Sequence, residues 1–375
     1  MRATWWLMAA AMAVTAVACT PVTQSTKNPS SSARTQVSPT VPAETSQAAD
    51  LRTHLDLLLT EQVMIVAKET ASAANHEDAY AGYTALLTSN ETDVGDIVRT
   101  AFGDTAADGF TKGWRAQNTA LVDYGIGVVT HNDGKASQAT SELSAAMQQL
   151  TSRISDMSGL ASDDVAQLFT QQAADDKAFI DDAGAQRYPG FYADLDTAYF
   201  AAERLGDALA ARIAERYPDR FPGDPTVPSV DRRVSANVLL QQHAFLSTMA
   251  TDAAVQARAP DLAAAKAALD RNTAGISRTL DFPAFVGLWS ARIAALITYA
   301  QKGDSASRQA LMATGPQDAA AFGIGPSTVT DELKALIAVI DDQRAKASDR
   351  IAGDDRAAAT SMQPVADAIR LGPAI

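Results

Sequence analysis

Three glutamines, Gln62, Gln117 and Gln172, stand on stripes that are otherwise apolar at helical spacing. Gln62 continues the line of Leu51, Leu55 and Leu58, Gln117 sits between Trp114 and Leu121, and Gln172 follows Val165 and Leu168. An internal repeat carries the same three places into the second half of the chain, where they hold His243, Arg292 and Glu332. If each stripe faces a core, each half has a buried polar cluster, and buried polar groups must satisfy one another. Arg292 with Glu332, completed by His243, can do so with charge, and three amides can do so without it. The simpler role is a network that fixes helix register. The sharper one is a small-ligand or metal pocket.

Other chemistry has less to stand on. The four histidines, His54, His76, His131 and His243, form no HxxxH or ExxH pattern. Glu61 precedes Gln62, but Ile65 and Val66 fill the places where a second helical ligand would stand. No phosphate-binding glycine loop, GxSxG elbow or CxxC pair occurs. The repeated pairs Asp181–Asp182 and Asp341–Asp342 read as a solvated helix face, and Trp114, Trp289, Tyr124 and Tyr299 as core anchors. No catalytic residue, cofactor or metal ligand is assigned.

The elements that must position these residues are helices. Phe110, Trp114, Leu121 and Tyr124 recur as Phe285, Trp289, Leu296 and Tyr299, all 175 residues on. Leu58–Leu59 recurs as Leu239–Leu240 after 181 residues, Asn90 as Asn272 after 182, and Ile180–Asp181–Asp182 as Ile340–Asp341–Asp342 after 160. The falling shift reads as deletions between helices. With no strand signal of comparable strength, the fold class is all-α, two tandem, internally duplicated helical bundles spanning 50–222 and 229–372. The proline- and glycine-rich stretch Phe221–Pro228 divides them, and each half is expected to have its own core.

The N-terminus reads as targeting. Arg2 and the apolar Trp5–Val17 form the n- and h-regions of a signal peptide, residues 1–18, too short to span a bilayer as a mature helix. Ala16–Val17–Ala18–Cys19 resembles the lipobox of bacterial lipoproteins. The resemblance implies cleavage before Cys19 and a diacylglycerol thioether on its sulfur, which would also account for the chain's only cysteine. Residues 19–49, rich in Pro, Ser, Thr and Gln, read as a flexible tether whose coil spans about 30 Å.

The chain also carries LLTEQ at Leu58–Gln62, WRAQN at Trp114–Asn118 followed by VDYGIGV at Val122–Val128, and DALAARI at Asp207–Ile213 before YPDRFPG. This pattern resembles a set of secreted bacterial helical-repeat proteins with no established activity. It covers most of 51–222 and, more faintly, 229–372. The resemblance implies histidine where this chain has Gln62, Gln117 and Gln172, so a histidine-based metal site in the first half is placed in doubt by the sequence itself.

A formal net charge of −13 repels phosphate backbones, so no nucleic-acid partner is expected. The sequence therefore points to a lipid-anchored protein on the extracytoplasmic face of the cell membrane. It would act as a non-enzymatic binding or interaction module for an unidentified protein or small molecule. The alternative is a metal- or cofactor-binding bundle of oxidoreductase type.

Overall fold

The computed structural model describes residues 42–370. The segment expected as signal peptide and most of that expected as tether lie outside them, residues 1–41 with Cys19 included. The described residues are helical nearly throughout: a 3-10 turn at Ala43–Thr45, then α1 (Gln47–Ala74), α2 (Tyr80–Phe102), α3 (Asp104–Val129), α4 (Asp133–Ser158), α5 (Ser162–Gly184) and α6 (Tyr188–Arg216). The second half follows with α7 (Pro228–Val255), α8 (Ala259–Leu280), α9 (Ala284–Lys302), α10 (Ser305–Met312), α11 (Thr314–Phe322), α12 (Pro326–Ala345) and α13 (Ser348–Arg370).

Three expectations change. The tether ends earlier than residue 49, because Ser46 caps α1 by accepting from the Ala49 N–H and Ala48 and Ala49 are buried. Ser162, which its residue type marks as an N-cap ahead of the run to Ala185, is instead the first helical residue of α5, with Ala161 at the cap and no side-chain bond. The residues missing from the second half come from a helix rather than from loops, since the short α10 and α11 follow α9 where the 26-residue α4 follows α3.

The helices start and stop for local reasons. Asn132 caps α4 through the Lys135 N–H, Pro189 and Pro228 sit in first turns, and Gly103, at φ 87°, makes the sharp corner between α2 and α3. At the centre lie α1 and α7. Every residue from Leu59 to Thr70 is buried, as is every residue from Ala236 to Thr251. Over these stretches both helices are buried on all sides, which the single apolar stripe through Gln62 did not indicate.

They run side by side in the same direction. Arg52 pairs with Asp231 and Arg233 with Asp50. The Gln241 amide donates to the Leu57 carbonyl at 3.0 Å and to Thr60 Oγ1 at 3.1 Å, Lys68 donates to Thr248 Oγ1 at 2.6 Å, and Glu77 pairs with Arg258. Each contact joins a residue to a place close to its own counterpart in the other half. That is how surfaces meet across a two-fold axis, here running along the helix pair.

The closing helices cross over. α6 packs on α8 as well as α1, and α13 packs on α2 as well as α7. The two halves consequently share one apolar core, and the described residues belong to one compact unit. The stretch at 222–228 is a turn between α6 and α7, not a boundary between separate cores. The physical reason is the all-round burial of α1 and α7, which neither half can complete alone.

Candidate functional site

All six residues singled out from the stripes are buried, at most 4% exposed. In the second half Arg292 pairs with Glu332 and, at 3.3 Å, with Asp318 of α11, while its guanidinium lies 4.7 Å from the centroid of the Trp289 ring. Burial lowers the Arg292 pKa to about 10, with Asp318 opposing, so the guanidinium stays charged at neutral pH.

His243 does not join that pair. Its Nε2 accepts from the Trp289 indole N–H at 2.6 Å, so Nδ1 carries the proton and donates to Asn272 Oδ1 at 2.9 Å. Asn272 passes the chain to Gln242 Oε1 at 2.8 Å, and Gln242 donates to Asp196 at 3.0 Å. Burial, with the Arg292 charge adding to it, holds the imidazole neutral and lowers its pKa to about 3.

In the first half the three amides do not bond one another. Gln62 donates to Asn118 Oδ1 at 3.2 Å, and Asn118 to Glu91 at 3.1 Å. Gln172 donates to Asp176 at 2.8 Å and to the Ala198 carbonyl at 3.3 Å. Burial, with Asp175 nearby, raises Asp176 to about 8. Gln117 Oε1, Gln172 Oε1 and the Trp114 indole N–H, all buried, have no hydrogen-bond partner.

The aspartate pairs are not a simple solvated face. Asp181 accepts from the Tyr124 hydroxyl at 2.7 Å and Asp341 from Tyr299. Asp182 and Asp342 are nearly buried and hold Arg187 and Arg350. Of the histidines, His54, His76 and His131 are exposed, and the described residues contain no group of three or more His, Cys, Asp or Glu arranged to hold a metal ion.

The place where groups converge on open space was not found from the sequence. Where α1 and α7 end together, they enclose with the starts of α2, α6, α8 and α13 a narrow cleft of about 50 Å³. One wall is aromatic: Tyr83, Tyr188, Phe191 and Tyr192. The other is charged. Arg258 is held by Glu77, Asp252 and Asp261, and Lys68 pairs at 2.7 Å with Asp355, which also accepts from the Tyr83 hydroxyl. Tyr192 donates to Asp261 at 2.9 Å. Burial and the neighbouring Asp252 charge raise Glu77 to about 7. Tyr83 and Tyr192 are raised well above the usual phenol value, by burial first and then by the Asp355 and Asp261 charges. Of the charged residues that line the cleft, Glu77, Asp252 and Asp261 outnumber Lys68 and Arg258, so the cleft favours cations.

One signal for it was legible. Lys68 directly follows the apolar run Val63–Ala67, and a charged residue on so apolar a helix needs a partner. Its partner Asp355 lies 287 residues away, and no spacing rule reaches that far.

No protein-family profile, curated protein or solved structure matches the chain.

Proposed function

We propose that the protein is a lipid-anchored, extracytoplasmic binding module whose ligand occupies the cleft at the joint ends of α1 and α7. The lipobox-like Ala16–Cys19 and the polar stretch after it support the anchoring. The observation that carries the binding role is the cleft itself. A concave aromatic wall facing a few converged charged groups is the usual form of a small-molecule site. The acidic surplus, with Tyr188 and Phe191 opposite, suits a small organic cation with an aromatic or aliphatic body.

Ala74, half-buried on the cleft wall at the end of α1, provides the test. Ligand-detected NMR with a library of aromatic and aliphatic amines should find binders to the wild type. Ala74→Trp, which fills the cleft from its rim, should weaken them by at least about tenfold. A library without binders, or binders indifferent to the tryptophan, would remove the cleft as the ligand site.

A further inference from the structure

A groove of about 490 Å³ runs between α6, α7 and α8, lined by no residue of the cleft. Its α6 wall carries Asp196 and Glu203, and its α8 wall carries Arg271 and Arg278. Among the described residues, Glu203, Arg271 and Arg278 make no side-chain hydrogen bond or ion pair, and Asp196 is engaged only by the neutral Gln242 amide. Burial, with Asp207 nearby, raises Glu203 to about 7.

The two-fold relation shows what is missing. The counterpart of this groove lies between α13, α1 and α2. There the chain fills the space itself: Arg356 reaches across to Glu61 and Asp93, and Asn90 donates to Glu61 at 2.8 Å. Asp196 stands at the place of Arg356, Gln242 at that of Glu61 and Gly275 at that of Asp93, while Asn272 keeps the role of Asn90. One side has a built-in guanidinium bridging two helices. The other has acid where the guanidinium started, no side chain where it ended, and two unpaired arginines along the rim.

We propose that this groove binds a small zwitterion, an amino acid with a cationic side chain. Its ammonium or guanidinium group lies against Asp196 and Glu203, and its carboxylate against Arg271 and Arg278. The dimensions agree, since the two arginines are two helical turns apart, about 10 Å, and packed helix axes are about 8–10 Å apart. A free amino acid or a dipeptide spans such a space, and arginine–carboxylate pairing is directional. The site is independent of the cleft proposed above.

Isothermal titration calorimetry of the full-length protein with L-arginine tests this. The wild type should bind one equivalent. Agmatine, which keeps the guanidinium but lacks the carboxylate, should bind at least about tenfold more weakly, and so should L-arginine to the Arg271→Ala/Arg278→Ala variant. Asp196→Arg with Gly275→Asp rebuilds the bridge of the other groove and should abolish binding while helix content stays unchanged. Space allows it, because a Cβ at Gly275 would meet nothing closer than Leu239 at 3.4 Å. No binding of L-arginine to the wild type overturns the proposal, as does equal affinity for agmatine or undiminished binding by the folded bridge variant. If the bridge variant does not fold, the arginine variant decides, because both of its substitutions are on exposed side chains.

Discussion

Asp56 is fully buried in α1, and neither carboxylate oxygen has a hydrogen-bond partner, although Arg52 lies 3.8 Å away. Burial raises its pKa well above the ordinary carboxylate value, Asp207 and Glu203 add to the rise, and Arg52 opposes it. The counterpart in α7 is Asn237, whose amide donates to Asp367, the counterpart of Asp207, at 3.4 Å. A protonated Asp56 can donate toward Asp207 in the same way. The unfolded chain releases this proton near pH 3.9 and the folded chain only at its raised pKa. Between those values the native state holds more protons, so stability falls as pH rises and levels off above the folded pKa. Asp56→Asn removes that loss. It should stabilise the protein by on the order of 1–2 kcal/mol at pH 7.5 and by close to nothing at pH 3.5. Urea denaturation at the two pH values measures both, and an equal effect at each would mean that Asp56 is charged when folded.

Helix packing depends on similar isolated groups at the crossing of α1, α7 and α13. Lys68 is buried between them, bonded to Asp355 and Thr248, and its counterpart in α7 is the apolar Met249. The counterpart of Asp355 in α6 is Leu195. One crossing is therefore joined by charge and the other by packing. Lys68→Met alone strands the Asp355 carboxylate and should cost about 3–5 kcal/mol. Lys68→Met with Asp355→Leu copies the apolar crossing and should recover most of that loss, because a buried ion pair stabilises little more than well-packed apolar groups. The double variant also removes one polar pair beside the cleft. Chemical denaturation of the two variants makes the comparison, and a double variant no more stable than the single one would mean that the crossings are not equivalent.

For the whole molecule, the continuous core governs how the chain can be divided. A fragment of residues 51–222 keeps α2–α6 and nearly all of α1, yet it exposes the face of α1 that α7 and α13 cover. It also leaves Glu61 without Arg356 and Lys68 without Asp355. That fragment should show no cooperative thermal transition by far-UV circular dichroism. Mixed with a fragment of residues 223–375, it should regain one, as two parts of a single core do when they meet. A sharp transition of 51–222 by itself would establish that one half contains a sufficient core.

By itself the sequence determined the all-helical class, a break between helices at 222–228 that it took for a domain boundary, and the burial of Gln62, Gln117, Gln172, His243, Arg292 and Glu332. These follow from local periodicity and from an internal repeat whose spacings can be counted. It also placed Arg292 opposite Glu332, because two positions on neighbouring stripes of one half come together whenever those helices pack. Only the tertiary structure decided that α1 and α7 lie in parallel contact, that α6 and α13 cross between halves, and that two open sites form along those seams. Contacts of Lys68 with Asp355, or of Arg356 with Glu61, join residues almost three hundred positions apart. Hydrophobic periodicity says which face of a helix is covered, and cannot say by which other helix. The groove is subtler still. It exists because Gly275 and Asp196 stand where Asp93 and Arg356 stand in the other half, a difference with no meaning until the two-fold relation brings the four places into register.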